Sequence, residues 1–320
     1  MSAAQPGTPR PRILRACGVA LDVGTRPLVV GVLNATPDSF YDRGRYFERD
    51  RALARADELV AEGADLLEVG GETARPGPPV DAAEERRRVA PLIALLARRL
   101  PVPIAVDTYK PDVARAALDA GAVLVNDISG LADSRMIELA AATGAALVAM
   151  HIQGLPKVRQ LSPRYGSVVE EVYAFLNERT ARALALGVAA DRLVVDPGLS
   201  FGKAPEHDLE ILRRLGTFSR LGYPIYLATS RKNYIRDVLA LPAEDLLEGT
   251  FAAVAYGVAQ GVHLIRTHDV RSIARVIRMT LAIARTPEAA QRAFTGRAPA
   301  PGGHTAAAGD AGGSGEGSDT

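Results

Sequence analysis

Eight short apolar runs in this sequence each end in polar residues whose types could do chemistry. A buried carboxylate costs several kcal/mol unless something pairs with it, so Asp196 in LVVDPGLSFGK either caps local backbone or awaits a ligand. One instance does not decide, but eight favour a shared ligand. The polar ends are Asn34, Glu72 with Arg75, Asp107, Asn126 with Asp127, His151, Asp196, Ser230 with Arg231 and Lys232, and Arg266 with His268 and Asp269.

The acidic and amide ends indicate an organic ligand. Asp107, Asn126 and Asp196 supply acceptors and an amide, and a carboxylate can accept two adjacent N–H donors side by side. This set suits a heterocycle with neighbouring N–H groups. Metal binding by the two aspartates is the alternative, but Asn126 and Lys232 favour an organic ligand.

Two other ends indicate an anion. Arg266 and His268 lie two residues apart and share a strand face, which suits an oxyanion such as phosphate. An ion pair with a loop carboxylate is the alternative. The SRKN segment, Ser230 to Asn233, places a hydroxyl, a guanidinium and an ammonium at a predicted helix start, which also suits an anion. Ordinary N-capping by Ser230 remains compatible with this reading.

Two further motifs do not support a site. GLSFGKA resembles a phosphate-binding P-loop, but it is one residue short and has Ala204 where Ser or Thr belongs. His263 and His268 lie five residues apart on one strand, so they point to opposite faces and cannot share a metal.

The apolar runs alternate with segments of helical period, which predicts an α/β fold. The runs are nearly continuous, as strands of a parallel sheet buried on both faces should be. Eight strand–helix units predict a (β/α)8 TIM barrel, with a doubly wound open sheet as the alternative. In both folds the carboxyl ends of the strands converge on one site. The predicted helices are 49–62, 81–99, 111–120, 133–143, 167–186, 206–215, 232–240 and 270–284.

Domain organisation and composition narrow the class of protein. We predict an N-terminal lead-in with a β-hairpin across the barrel bottom in residues 1–27, a barrel in 28–287 and a disordered tail in 288–320. A net charge of +1 does not indicate the basic surface that nucleic-acid binding requires. The single cysteine, Cys17, excludes a disulfide framework and suits the reducing cytoplasm. No stretch is apolar enough to predict a membrane span.

Taken together, the motifs resemble those of the dihydropteroate synthase family. GVLNATPDSF, GADLLEVGGETARPG, VDTYKP, NDISG, MHIQG, DPGLSFGK, SRK and RTHDV occur in that order between Leu28 and about Arg285. The resemblance implies condensation of 6-hydroxymethyl-7,8-dihydropterin pyrophosphate with p-aminobenzoate, which gives 7,8-dihydropteroate and pyrophosphate. It also implies Mg²⁺ on the pyrophosphate, a homodimer, and inhibition by sulfonamides.

The resemblance also assigns roles to residues. The implied pterin ligands are Asp107, Asn126, Asp196 and Lys232. The implied pyrophosphate ligands are Asn34, Arg75, Arg266 and His268, with Asn34 also on the metal. The implied p-aminobenzoate contacts are Ser230, Arg231, Phe201 and Pro76. The implied catalytic set is Asp107, Asp196, Lys232, Arg266 and His268.

Three positions depart from the usual family pattern. Ala74 removes a hydroxyl near the second substrate, Ala228 replaces a glycine beside the pterin pocket, and Ser200 replaces another glycine. None of the three removes a charge. Two alternative functions stay open, a pterin-dependent methyltransferase and a paralogue that binds pterin without catalysis.

Overall fold

The computed structural model describes residues 13–35, 47–158 and 160–285, with the side chains of 47–49 and 243 left out. An antiparallel hairpin precedes a parallel sheet of eight strands with the order β8-β7-β6-β5-β4-β3-β10-β9. The strands are β1 (Ile13–Ala16), β2 (Val19–Asp22), β3 (Leu28–Asn34), β4 (Leu66–Gly70), β5 (Ile104–Asp107), β6 (Leu124–Asp127), β7 (Ala146–Met150), β8 (Leu193–Asp196), β9 (Tyr226–Ala228) and β10 (Leu264–Thr267).

The sheet curves round until its two edges meet. An isolated parallel bridge between Val195 and Ile225 joins the β8 edge to the β9 edge. A closed sheet is a barrel and has no free edge. The predicted (β/α)8 barrel is therefore confirmed, and the doubly wound alternative is wrong.

Helices follow the strands around the barrel. Those in the described part are α1 (Phe47–Glu62), α2 (Ala82–Arg99), α3 (Pro111–Asp119), α4 (Ser134–Thr143), α5 (Val168–Ala185), α6 (Pro205–Arg213), α7 (Asn233–Leu239), α8 (Leu247–Ala259) and α9 (Val270–Ala284). The sequence predicted one helix between β9 and β10, and the structure has two. Helix α8, LEGTFAAVAYGVA, is apolar over most of its surface and therefore lacks the polar stripe by which a helical period is recognised.

Alternate residues of each strand point into the barrel or out towards the helices. The inward layer is a small apolar core that includes Val30, Leu66, Leu124, Val194 and Leu264. The outward layer joins the large core beneath the helices. Inward parity continues along β5, β6, β8 and β10 to the polar residues at their ends, so those side chains face the barrel mouth.

The hairpin closes the opposite end of the barrel. Leu14 and Ala16 are fully buried in the inward core, and the Cys17 N–H donates to the Gly144 carbonyl oxygen just before β7 at 2.8 Å. The bottom is therefore sealed by apolar packing, which leaves the carboxyl ends of the strands as the open face. Residues 1–12, the TPDSF loop and the predicted tail 288–320 lie outside the described residues. None of the helices in 47–285 is long and apolar enough to cross a bilayer.

Candidate active site

Four neighbouring strands, β3 to β6, bring their ends side by side, and three of those ends are polar. Asn34 pairs with Gly70, Gly70 with Asp107, and Asp107 with Asn126 in the strand register. Gly70 has no side chain between its neighbours, and a Cβ built there would lie 3.8 Å from Asn34 Oδ1 and 3.9 Å from Asp107 Oδ2. The predicted metal ligand Asn34 and the predicted pterin ligand Asp107 therefore face the same small volume.

Asp196 caps local backbone and also presents a carboxylate oxygen to a ligand, the two roles that its sequence position suggested. Its Oδ1 accepts the Gly198 N–H at 2.7 Å, so the carboxylate caps the turn that ends β8. Its Oδ2 is buried and has no hydrogen-bond partner among the described residues. Burial raises the pKa of Asp196 to about 6, against the lowering effects of the Gly198 N–H and of Lys232. One carboxylate oxygen thus remains available to a ligand.

Gly198 is required at that turn for a steric reason. Its φ is +67°, and a Cβ there would meet the His151 carbonyl oxygen at 1.8 Å. The turn therefore packs directly against the backbone that follows β7, and this contact positions Asp196.

Asn126 presents a second buried acceptor. Its Nδ2 donates to Glu68 Oε2 at 3.1 Å, whereas its Oδ1 has no partner among the described residues. The residue is 3% exposed. A desolvated acceptor without a partner costs about 1–3 kcal/mol, which a ligand donor would recover.

Glu68 is a functional residue that the sequence analysis missed. It is fully buried inside the barrel on β4, and its carboxylate accepts from the Tyr226 hydroxyl at 2.8 Å and from Arg266 Nε. The available signal was a lone glutamate in the apolar run ADLLEVGG. Glu68 lies inside that run and not at its end, so the pattern of polar strand ends does not include it.

Arg266 forms ion pairs with Glu68, inside the barrel, and with Asp107, at the end of β5. Its Nε donates to Glu68 and its Nη2 donates to Asp107 Oδ2 at 3.0 Å. Burial and the nearby Glu68 carboxylate raise the pKa of Asp107 to about 7, against the opposing effect of Arg266. Two carboxylates share one guanidinium here, so the pKa of Asp107 lies above its ordinary value even though Arg266 donates to it.

Lys232 completes the charged set. Its Nζ lies 4.6 Å from the centroid of the Phe201 ring, a cation–π contact. Burial lowers the pKa of Lys232, as does Arg266, while Asp196 and Asp107 oppose that shift. The lysine ammonium therefore contacts an aromatic ring and is attracted by the charges of the two predicted pterin carboxylates.

His268 lies at the rim of the same cluster, as predicted, but without a positive charge at neutral pH. Partial desolvation of this ring, which is exposed at the rim, together with the cations Arg266, Arg231 and Lys232, lowers the pKa of the imidazole. In the free protein a neutral imidazole therefore stands beside Arg266. An arriving anion would raise that pKa.

The SRK segment is arranged differently from the sequence expectation. Lys232, rather than Ser230, is the N-cap residue of α7, and that helix is only seven residues long. The reading of Ser230 as an N-cap is therefore wrong, and a helix dipole contributes little to anion binding there. The Ser230 hydroxyl instead accepts from the Thr267 hydroxyl at 3.4 Å.

Arg231 does not join the other site residues. Its Nε and Nη2 each donate to Asp269 at 3.0 Å, and its Nη1 donates to the Glu244 carbonyl oxygen at 2.9 Å. Its φ of +52° turns the backbone sharply before Lys232. This side chain fixes the loop after β9, and a direct contact with p-aminobenzoate stays a prediction.

Arg75 and Pro76 lie on an exposed loop after β4 whose backbone is held from another loop. Lys157 Nζ donates to the Thr73 carbonyl oxygen at 2.9 Å and to that of Arg75 at 2.6 Å. The Arg75 side chain is exposed and makes no ion pair with a described residue. A charged side chain at the mouth is thus presented on a restrained backbone.

A small apolar cluster forms part of the mouth and was also missed. Ile128, Met150 and Ile152 are buried together, with Tyr109 and Phe201 packed against them. Only Phe201 was predicted. Tyr109, Ile128, Ile152 and Phe201 follow β5, β6, β7 and β8, and Met150 is the last residue of β7, so together they form a wall suited to the face of a flat ring. The sequence signal was weak because Ile128 and Ile152 are single apolar residues in polar loops and Met150 ends an ordinary apolar strand.

The P-loop-like segment is a closed structural turn, in agreement with its rejection as a phosphate site. Lys203 Nζ donates to the carbonyl oxygens of Gly198 at 2.8 Å and Phe201 at 3.2 Å, and contacts His151 Nδ1 at 2.8 Å. Burial lowers the pKa of Lys203 to about 7, and burial with the Lys203 charge lowers that of His151 to about 2. His151 is therefore neutral, and its ring supports the loop through the contact with Lys203.

No group of three His, Cys, Asp or Glu in the described ranges could hold an ion. Asn34 Oδ1 offers one oxygen beside Asp107. Mg²⁺ usually keeps several waters and is held by one or two carboxylates plus substrate phosphates, so with one amide oxygen from Asn34 the residues present would fit an ion whose other ligands are waters and phosphate oxygens.

Comparisons with known proteins agree with this geometry. A family model described as pterin binding enzyme matches residues 30–268. The chain is 41% identical over 262 residues to dihydropteroate synthase of Bacillus subtilis, covering 81% of this chain and 90% of that protein. It is also 41% identical over 275 residues to inactive dihydropteroate synthase 2 of Mycobacterium leprae, covering 83% and 94%. The structure of the Thermus thermophilus dihydropteroate synthase in complex with 4-aminobenzoate superimposes with a TM-score of 0.77 at 42% identity, covering 85% and 100%.

Proposed function

The chain belongs to the dihydropteroate synthase family, and we propose that its own site condenses 6-hydroxymethyl-7,8-dihydropterin pyrophosphate with p-aminobenzoate. One observation carries the proposal. Two buried acceptors that have no hydrogen-bond partner among the described residues, Asp196 Oδ2 and Asn126 Oδ1, belong to a cluster that also contains Arg266 and Lys232. The acceptors suit the N–H groups of a pterin, and the cations suit a pyrophosphate.

The carboxylates of the site would bind the pterin ring and stabilise charge. Asp196 would accept ring N–H donors through Oδ2, while its bond to the Gly198 N–H holds the carboxylate in place. When pyrophosphate leaves the exocyclic methylene, the dihydropterin becomes cationic, and the carboxylates of Asp107 and Asp196 stabilise that cation. Ionisation of Asp107 is then favoured by the charge that develops on the ring.

The rim would receive the leaving group. Arg266 already donates from Nε to Glu68 and from Nη2 to Asp107. Its remaining nitrogen, Nη1, would donate to a phosphate oxygen. His268 would donate an N–H as a neutral imidazole. The amine of p-aminobenzoate then attacks the methylene carbon, and no strong base is needed because the neutral amine is nucleophilic.

The second substrate would bind beside Lys232. The Ser230 hydroxyl suits its carboxylate, while Phe201 and Pro76 suit its ring. Sulfonamides, which mimic p-aminobenzoate, are proposed to compete there. Mg²⁺ is proposed to arrive on the pyrophosphate and to be met by Asn34, where it neutralises phosphate charge when bound.

Sequence identity does not separate an active from an inactive member, because relatives of both kinds are 41% identical to this chain. The retained ionic set favours the active enzyme. A methyltransferase would not need the pair Arg266 and His268 at the rim. A protein that only binds pterin would not need them either.

Pyrophosphate release by purified protein tests the proposal. With the pterin pyrophosphate, p-aminobenzoate and Mg²⁺, we expect release that depends on p-aminobenzoate and yields dihydropteroate. Arg266→Met should abolish it, whereas Arg236→Met, which removes an exposed arginine on α7, should not. Pterin binding without release would support the non-catalytic paralogue. Absence of both would contradict the proposal.

We also propose that the enzyme is a cytoplasmic homodimer. Helices α6, α7 and α8 border an apolar groove of about 370 Å³ that includes Val238 and Tyr256, which are 56% and 46% exposed. Sedimentation should show a dimer that Val238→Glu dissociates. The control Met279→Glu, at a 62% exposed position on α9, should remain dimeric. A wild-type monomer would contradict the dimer.

A further inference from the structure

Glu68 is a buried carboxylate that contacts two of the site residues from below. Its Oε2 accepts from Asn126 Nδ2 at 3.1 Å and from the Tyr226 hydroxyl at 2.8 Å. Its Oε1 accepts from Arg266 Nε. The side chain is fully buried, in register with Ala105 and therefore one inward position deeper than Asp107. It cannot reach a ligand that rests on Asp107 and Asn126.

The chemistry of Glu68 determines which way round the amide of Asn126 lies. An ionised carboxylate accepts hydrogen bonds and cannot donate them. The amide nitrogen of Asn126 must therefore face Glu68, which turns Oδ1 away from it. That oxygen is buried and has no partner among the described residues. The protein thus fixes an acceptor, rather than a donor, at this corner of the site.

Asp196 presents the same hydrogen-bond character from another strand. Its Oδ2 is also buried and without a partner in the described structure. A ligand edge that satisfies both oxygens must carry N–H donors. If the amide of Asn126 were rotated by half a turn, its nitrogen would oppose such an edge. The orientation of one amide therefore contributes to the choice of ring.

We propose that Glu68 is a positioning residue that fixes the hydrogen-bond polarity of Asn126 and thereby selects a ring edge rich in N–H donors. The inference rests on the proposed pterin function and adds a specificity determinant to it. A merely structural Glu68, one that only neutralises the half-buried Arg266, would affect all ligands alike. Ring selectivity is therefore the property that distinguishes the two roles.

Glu68→Gln is the informative change. Arg266 Nε requires an oxygen, so the glutamine oxygen remains on that side and its NH₂ group faces Asn126. Asn126 then turns its own oxygen towards Gln and presents Nδ2 to the ligand. Glu68→Asp is the matched control, because a shorter carboxylate still only accepts.

Calorimetry with two rings tests the proposal. The probes are 6-hydroxymethylpterin and the corresponding lumazine, in which the exocyclic amino donor is replaced by a carbonyl acceptor. We expect wild-type protein to prefer the pterin, Glu68→Gln to reduce that preference about tenfold, and Glu68→Asp to retain it. Equal losses for both rings in Glu68→Gln would overturn the proposal and leave Glu68 with a structural role.

Two further results keep the test decisive. If Glu68→Gln does not fold, Asn126→Ala removes the acceptor directly, and an unchanged preference in that variant overturns the proposal. If wild-type protein binds neither ring, the proposed function is wrong and the inference falls with it. If wild-type protein binds a ring and the folded variants keep the wild-type preference for pterin, the inference about Glu68 is wrong and the proposed function stands.

Discussion

Lys157 and Arg75 are joined by a hydrogen bond of 2.6 Å from the lysine Nζ to the arginine carbonyl oxygen. The same nitrogen lies 3.8 Å from Glu72 Oε1, and the lysine side chain is only 7% exposed. Glu72 in turn pairs with Lys110 at 2.7 Å and accepts the Val80 N–H at 2.7 Å. The loop after β4 is thus held at its base and again beside Arg75.

This tether predicts an effect on the second substrate and on the pyrophosphate, and none on the pterin ring. Lys157→Met keeps the apolar stem and removes the ammonium that holds the loop backbone, so Arg75 and Pro76 lose their fixed position. We expect the affinity for p-aminobenzoate to fall about tenfold, which corresponds to about 1.4 kcal/mol. Calorimetry in the presence of pyrophosphate measures this change in p-aminobenzoate affinity.

The control for the tether lies on the same loop as Lys157. Arg164→Met removes an exposed cation and should leave p-aminobenzoate affinity unchanged. Pterin affinity should be unchanged in both variants, because the pterin residues stand on strand ends. A loss of pterin affinity equal to that of p-aminobenzoate in Lys157→Met would show general damage instead of a local tether.

Asp196→Ala should abolish measurable pterin binding. The change removes the charged partner of two ligand N–H groups, a loss of roughly 2–4 kcal/mol of binding free energy. The control Asp133→Ala removes the exposed N-cap carboxylate of α4, which accepts from the Arg135 N–H at 3.0 Å, and should leave binding intact. Unchanged pterin affinity in Asp196→Ala would mean that this carboxylate only caps the Gly198 N–H.

Much of the barrel could be predicted because its signals are local. Each buried strand is a continuous apolar run, and each run ends where its polar residue begins, so Asp107, Asn126, Asp196 and Arg266 were all placed at the correct edge. Convergence then follows from the parallel order of the strands. Helix α8 was missed for the opposite reason, since an almost wholly apolar helix lacks a polar face to mark its period.

The contacts within the site could not be predicted from local signals. Arg231 stands beside Lys232 in the sequence, yet its guanidinium is held by Asp269, which follows another strand. The buried role of Glu68 depends on Tyr226 and Arg266, which are distant in the sequence. Such pairings arise from barrel closure, and a single sequence does not reveal them.

Ser200 offers a test of backbone strain near the site. Its φ is +68°, a region that glycine adopts without cost. Its N–H and hydroxyl donate to the two oxygens of buried Asp208 at 2.8 and 3.0 Å. Ser200→Ala loses the hydroxyl bond and keeps the strain, whereas Ser200→Gly loses the bond and relieves it.

We therefore expect Ser200→Ala to be less stable than Ser200→Gly by about 1–2 kcal/mol, the cost of left-handed backbone for a residue with a Cβ. Urea unfolding of the two variants and the wild type measures this difference. Equal stability of the alanine and glycine variants would mean that the turn relaxes when Asp208 loses its partner.

The raised pKa of Asp196 predicts opposite pH dependences for stability and for ligand binding. Burial raises this pKa from 3.8 to about 6 in the folded protein. Between these values the folded protein retains a proton that the unfolded chain has lost, so its free energy of unfolding falls as pH rises. A pterin N–H requires the ionised carboxylate, so pterin affinity should instead rise over the same interval, approaching tenfold per pH unit for one proton.

Asp196→Asn isolates this contribution because it removes the titration while keeping the size of the side chain. We expect the pH slope of unfolding to be shallower in Asp196→Asn than in wild type between pH about 4.5 and 6, and the pH dependence of its residual pterin affinity to be reduced. Asp107, whose pKa is raised to about 7, would continue the trend above pH 6. Denaturation and calorimetry over pH in both proteins measure the two slopes. Identical slopes in wild type and Asp196→Asn would show that Asp196 is ionised throughout, and the binding energy of the pterin would then owe nothing to its deprotonation.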